Sequence, residues 1–163
     1  MIPNVNFKTI RLKPVYRQAI ANVFLHILAF IIVFFAAGMT EGFINMALTG
    51  VMIVLAVVIL YRICYIRSME YIITGEQLIF QHGIFVHSTE YMELYRVIDY
   101  VQMKNFMQQM LNIKTITILS GDRTLPALNI VGVPGSLSIV TEIRRRVEYN
   151  KKRRGVYEIT NHM

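Results

Sequence analysis

Asn22 and His26 stand four residues apart in a stretch, residues 18–40, that holds no Asp, Glu, Lys or Arg. On a helix this spacing puts both side chains on one face. Ionisable groups inside an apolar helix are costly and commonly mark a proton or ion path. Such a path needs several of these groups and more helices than one apolar pair supplies. The preferred reading is therefore a neutral His26, bonded to a polar neighbour in its own chain or in an oligomer. Asn45 lies too far along the second apolar run to be that neighbour.

Elsewhere the reactive residue types are scattered. His82 and His87 flank Gly83 and could approach each other, but no third ligand of suitable spacing follows, as a zinc site would need. Glu90, Glu93 and Asp99 are spaced like carboxylates on a strand surface rather than as an acid–base pair. Ser120 and Ser136 lack a nucleophile-elbow context, and no glycine-rich phosphate loop occurs. Cys64, the single cysteine, permits neither an intramolecular disulfide nor a thiolate zinc cluster, and reads as an apolar filler. No catalytic set, metal site or cofactor is expected.

The densest charge is the cluster Arg144, Arg145, Arg146, Lys151, Lys152, Arg153 and Arg154. One reading is electrostatic docking on anionic lipid, worth up to ~1 kcal/mol per cation at the surface. The other is a solvated helix end, where cations complement the C-terminal dipole.

The elements that must position these residues are of two kinds. Residues 18–40 and 42–61 are free of charged side chains, and Glu41 is the one charge between them. About 20 apolar residues at ~1.5 Å each cross the ~30 Å core of a bilayer. Two transmembrane helices are thus expected within residues 18–66, with a short outer turn near 40–42. Small residues (Ala21, Ala29, Ala36, Gly38, Ala47, Gly50, Ala56) offer a face for close approach. Arg11, Lys13 and Arg17 precede the pair, and Arg62 and Arg67 follow it. By the positive-inside rule both termini should be cytoplasmic, at a cell (inner) membrane. A cleaved signal peptide fits less well, since the first run exceeds the usual apolar core and cleavage would leave the second span wrongly flanked.

Net charge is +5 over residues 1–67, −2 over 68–140 and +4 over 141–163. Cations beside the membrane and at the end suit an anionic leaflet, not a nucleic-acid groove, in which basic and aromatic residues would interleave across one face.

Beyond Arg67 the period becomes alternating. Strands are expected over 69–74, 77–82, 84–92, 96–104, 114–120 and 123–130, with Gly121-Asp122 as a two-residue hairpin turn. Residues 105–112 read as a short helix or crossover carrying Phe106, Met107, Met110 and Leu111 at helical spacing. A closing helix follows Pro134, with Leu137, Val140, Ile143 and Val147 as its apolar stripe. The fold class is a membrane α-hairpin plus an α+β module, a PH-like small β-barrel or bent sandwich closed by the C-terminal amphipathic helix. Its segments are a cytoplasmic lead over 1–17, the hairpin over 18–66, the module over 67–149 and a basic flexible tail over 150–163.

The stretch Tyr71-Ile72-Ile73-Thr74-Gly75-Glu76-Gln77-Leu78, then Gly83-Ile84-Phe85, resembles the opening of the bacterial PH domains attached to membrane hairpins (the YdbS/YdbT type). Glu93-Leu94-Tyr95-Arg96-Val97, Val101-Gln102, Met110-Leu111-Asn112-Ile113 and Thr115-Ile116-Thr117-Ile118 continue the likeness, over roughly residues 15–147. Asn112 stands where that family commonly has glycine, and Asn tolerates the left-handed backbone the turn requires. The resemblance implies a non-enzymatic interaction or scaffold module in envelope maintenance or in stress and antimicrobial resistance. Its partners would be anionic lipid and either a second copy or another membrane protein. Phosphoinositide recognition is not expected, because the loop Gly75-Glu76-Gln77 has no cation and none occurs between Arg67 and Arg96. The rival function is a subunit of an oligomeric small transporter or channel built around Asn22 and His26.

Overall fold

The computed structural model describes residues 6–155. Two long helices, α1 (Tyr16–Gly38) and α2 (Gly42–Ser68), form an antiparallel hairpin, each long and apolar enough to cross a membrane. Little of their apolar surface is buried by the rest of the chain: Leu25, Ile32, Phe35 and Phe43 are all exposed. A core helix of a water-soluble domain would hide such residues. Asn45 fastens the tip of the hairpin, its amide donating to the Ala37 and Thr40 carbonyls at 2.7 and 3.0 Å. It thereby satisfies carbonyls left open where α1 ends.

The packing face of the second helix differs from the expectation built on small residues. Half-buried positions on α2 recur at Asn45, Leu48, Met52, Leu55 and Ile59, while Ala47, Gly50 and Ala56 are exposed. A Cβ added at Gly50 would meet nothing within 4 Å. Large side chains therefore fill the seam.

A strand precedes the hairpin as well as following it. Strand β1 (Ile10–Leu12) lies in the lead expected to be a mere segment, and pairs antiparallel with β2 (Glu70–Ile73), Ile10 opposite Ile73 and Leu12 opposite Tyr71. Strands β3 (Gln77–His82) and β4 (Ser88–Glu93) complete a sheet of order β1-β2-β3-β4. A 3-10 turn (Leu94–Arg96) leads into β5 (Val97–Met103). That strand, with β6 (Ile113–Ser120) and β7 (Ala127–Pro134), makes a second antiparallel sheet. The short helix α3 (Phe106–Met110) bridges β5 and β6, and α4 (Ile139–Arg154) closes the module. The sheets stay separate, so the arrangement is a bent sandwich rather than a closed barrel.

Alternation explains the core. Tyr71, Ile73, Leu78 and Met92 from the first sheet meet Ile116, Ile118, Leu128 and Ile130 from the second, and Ile139, Ile143 and Val147 of α4 cover them. Full burial of such a side chain contributes ~1.5–3 kcal/mol. The helix starts at Ile139, later than Pro134 suggested, because Pro134 ends β7 opposite Ile113. It also runs through Arg154, so residues 150–154 are helical rather than tail; the rest of the expected tail, from residue 156, and residues 1–5 lie outside the described residues.

Two turns depart from expectation. Ser120 donates its amide to the Pro126 carbonyl at 2.8 Å, so the β6–β7 connection spans 121–126 instead of two residues. Asp122 braces it, Oδ1 accepting from the Thr124 amide and hydroxyl. These bonds, with nearby Arg96, hold the Asp122 carboxyl below its ordinary range. Pro126, which has no amide hydrogen to give a ladder, keeps β7 from starting sooner. Residues 84–87, read as strand, form the bend between β3 and β4. Asn112, at φ 50°, is the single non-glycine residue with positive φ among the described residues, and it stops α3 in the left-handed conformation anticipated for it.

Candidate functional site

Hairpin and module meet without a linker. Leu12 of β1 lies four residues before α1, and Glu70 of β2 two residues after α2, so the two strands that receive the helices are hydrogen-bonded to each other. Glu70 also accepts ion pairs from Arg11 at 3.3 Å and Lys13 at 3.7 Å. The strands β2 and β1 thus run away from the hairpin on one side and back to it on the other.

Helix α1 sits directly on β7. The Val15 amide donates to the Gly132 carbonyl at 3.1 Å. Gly132 has φ 69°, and a Cβ there would lie 2.7 Å from Gln18 Cβ, so only glycine allows this approach. Ala19, Ile66 and Met69 bury together beside it, with Tyr65, Phe80 and Val131 against them.

A buried amide pair ties α1 to the second sheet. Gln108 Nε2 donates to Gln18 Oε1 at 2.9 Å and to Thr115 Oγ1 at 2.8 Å. Gln108 also forms a reciprocal capping box with Asn105, which fixes α3 in place. The expected helix is present, and Met107 and Leu111 of its apolar set are half-buried, but Gln108 is buried beside them, while Phe106 and Met110 are exposed. The Asn105-x-x-Gln108 spacing was the sequence signal for this cap.

On the other flank Tyr65 Oη lies 3.3 Å from His82 Nδ1, and Glu90 Oε1 lies 3.4 Å from His82 Nε2. The Gly83 amide donates to Ser68 Oγ at 3.2 Å. His82 therefore pairs with a tyrosine and a carboxylate instead of with His87. Tyr71 Oη accepts the Val131 amide at 3.3 Å, and burial pushes its pKa up to about 12. Burial also raises Tyr100 to about 12, and its hydroxyl has no hydrogen-bond partner among the described residues.

The basic cluster divides. Arg146 is 1 % exposed, its guanidinium donating to the carbonyls of Ile73, Thr74 and Lys8, each at 2.8 Å, and pairing with Glu142 at 3.0 Å. This corrects its assignment as a lipid contact: its donors are committed to three carbonyls on two backbone segments and to Glu142. Arg144 lies over the Tyr100 ring, Arg145 over Phe7 and beside Glu142, Arg153 on Glu76 at 2.6 Å, and Arg154 over Tyr95 at 4.3 Å. Lys151 and Lys152 share the last turns. Asn150 donates to the Gly75 carbonyl, which puts this end of α4 against the β2–β3 turn, at the end of the module opposite the hairpin.

Within the hairpin, Asn22 and His26 are half-buried, and His26 Nδ1 is buried with no partner among the described residues. Nor is any group of three His, Cys, Asp or Glu placed to hold a metal among the described residues. The junction is built of hydrogen bonds and packing between the helices and both sheets.

Comparison with known proteins agrees with this architecture. No curated protein and no solved structure matches the chain. The family model for the Bacterial PH domain matches residues 17–149, taking in the hairpin and the module together, and such domains are in general non-catalytic. With the two apolar helices, strands β2 to β7 and most of the closing helix inside that match, the chain belongs to the bacterial PH domain family.

Proposed function

We propose that the chain is a membrane-anchored interaction module whose PH-like domain is set rigidly against the cytoplasmic face of a cell membrane, with both chain ends on that side. The observation that carries this reading is the pairing of β1 with β2, which fuses the entry and exit of the hairpin into the module's own sheet. A swinging domain would be joined by a linker; this one has a fixed height and facing. The cations Arg11, Lys13, Arg17, Arg62 and Arg67 at the module end, against Glu41 at the other, support the orientation.

A module of this kind works by presenting a surface. Strand β5 is a sheet edge with β6 as its partner, and it leaves Ile98, Val101 and Met103 exposed. An exposed apolar edge is a template for another strand. We assign it to a second copy of the chain or to another membrane protein, in a scaffold serving envelope maintenance or stress and antimicrobial resistance. A photo-crosslinking residue at Ile98 or Val101, activated in native membranes, should give a discrete protein adduct, and Val101→Glu should abolish the one formed from Ile98. Failure to form an adduct from either position, with adducts from the far loop at Arg123, would sink the assignment.

Lipid contact by the exposed cations Arg144, Arg145, Lys152, Arg153 and Arg154, and by half-buried Lys151, would require them to reach back past the module. We therefore assign them to water or to an acidic partner. A spin label at position 152 should relax with a water-soluble and not a lipid-soluble agent; the opposite result restores lipid docking. His26 Nδ1, without a partner among the described residues, favours one further reading, a pore subunit assembled by oligomerisation.

A further inference from the structure

Four of the most exposed large apolar side chains outside the hairpin are Phe85 and Val86, at 88 % and 80 %, and Phe106 and Met110, at 73 % and 69 %. They come from different sheets. Phe85 and Val86 form the tip between β3 and β4; Phe106 and Met110 form the outer face of α3, between β5 and β6. Isolated exposed apolar residues need no explanation, but two tips at one end of a molecule do.

Both tips lie at the level where the hairpin leaves the module. Strand β3 runs toward the hairpin, and its last residue, His82, meets Tyr65 of α2, while the Gly83 amide is held by Ser68 at the end of that helix. Phe85 and Val86 project from this clamped point. On the other side, Arg17 donates to the Leu111 carbonyl at 3.3 Å, and Met110 lines a shallow groove with Tyr16, Arg17 and Ile20 of α1. Ile20 already belongs to the charge-free run that begins at residue 18. On this flank the apolar surface of the tip is thus continuous with that of α1.

We propose that these two tips enter the cytoplasmic leaflet at the boundary of headgroups and acyl chains, one on each flank of the hairpin. The inference rests on the hairpin spanning the membrane and adds a seat on which the module stands. The occupant is lipid rather than protein because the tips share the level of the helix ends. The exposed Arg17, Arg62, Arg67 and Lys104 lie near that level, where long cationic side chains reach lipid phosphates while their stems stay apolar. The short length of α3 is no obstacle, since Gln108 and the Asn105 cap hold it from the module side and leave Phe106 and Met110 free to point outward. A segment of this kind lies in the interface instead of spanning it.

The chain has no tryptophan, so one introduced indole reports alone. We would make Phe85→Trp and Phe106→Trp in the full chain, with Val86→Trp and Met110→Trp as neighbours should either fold poorly. Leu25→Trp, on the exposed mid-hairpin, and Arg123→Trp, in the far loop, are the references. Each is reconstituted in vesicles whose lipids carry bromine near the headgroup or deep in the acyl chain. The tip indoles should be quenched several-fold more than Arg123→Trp, most by shallow bromine, and Leu25→Trp most by deep bromine. Tip indoles quenched no more than Arg123→Trp, with Leu25→Trp quenched, would overturn the inference and leave the hairpin standing. Blue-shifted but unquenched tip emission would overturn it in favour of a protein covering the tips. An unquenched Leu25→Trp would overturn the spanning hairpin itself.

Discussion

Arg144, Arg145 and Arg146 are adjacent and chemically identical, yet replacing each by methionine should have very different consequences. Arg146→Met keeps the apolar stem and removes the guanidinium. Three carbonyls lose their donor at once: Ile73 and Thr74 at the end of β2, and Lys8 just before β1. Charge-assisted hydrogen bonds contribute roughly 1.5–3 kcal/mol each, so the gross loss is about 5–9 kcal/mol. Part of this is offset, because a charge no longer has to be held out of water. The net should be about 3–5 kcal/mol, the range expected when one partner of a buried charged network is removed. That is a large fraction of the ~5–15 kcal/mol that holds a typical domain together. Arg145, 65 % exposed at its side chain, should cost less than about 0.5 kcal/mol when changed to methionine. Hydrogen exchange on the full chain in nanodiscs reads the effect locally. In Arg146→Met, protection should fall across residues 8–12 and 74–77 first, while β6 and β7 keep theirs. Unchanged protection of β1, or equal effects from Arg145→Met and Arg146→Met, would refute the reasoning that one buried guanidinium clamps the lead strand to the sheet.

Three further outcomes are expected. Gln108→Ala should destabilise by about 1–3 kcal/mol by stranding the buried Gln18 amide, whereas Gln18→Leu with Gln108→Leu should cost less than the sum of the two single changes in a thermal-melt cycle. The two tyrosines give an alkaline signature: a folded pKa near 12 against an ordinary 10.0 means the unfolded chain loses its protons first. Their contribution is therefore intact below pH 10 and lost as pH rises toward 12. Tyr71→Phe should blunt that loss and lower stability at neutral pH by freeing the Val131 amide, while Tyr100→Phe should blunt it at no neutral-pH cost; a flat melt-versus-pH curve above pH 10 would contradict both. Finally, His26→Ala should leave assembly unchanged and ion flux in vesicles at background, and a flux that the wild type shows and the variant lacks would favour the pore reading.

Much of this molecule was legible from local chemistry. The two charge-free runs required helices of membrane length, and alternation located the strands of the module. Asn112 was anticipated in the left-handed conformation it adopts at φ 50°, because that preference belongs to the residue itself. Where structure and expectation part, another side chain intervenes, near or distant in sequence. Phe106 and Met110 had helical spacing but not burial, since α3 turns Gln108 inward to meet Gln18, 90 residues away in sequence. The β6–β7 turn grew longer because Asp122 braces the loop through Thr124 and Arg96.

Composition and period by themselves determined what each segment is: apolar helix, strand, cap or cationic helix end. Only the tertiary structure decided which of three neighbouring arginines is buried, and that the lead residues are a strand. Ile10 pairs with Ile73 because the α1–α2 hairpin returns the chain to its starting point. Propensity is set by a residue's nearest neighbours, whereas burial and pairing are set by whatever the fold brings alongside. No window of sequence around residue 10 contains its partner.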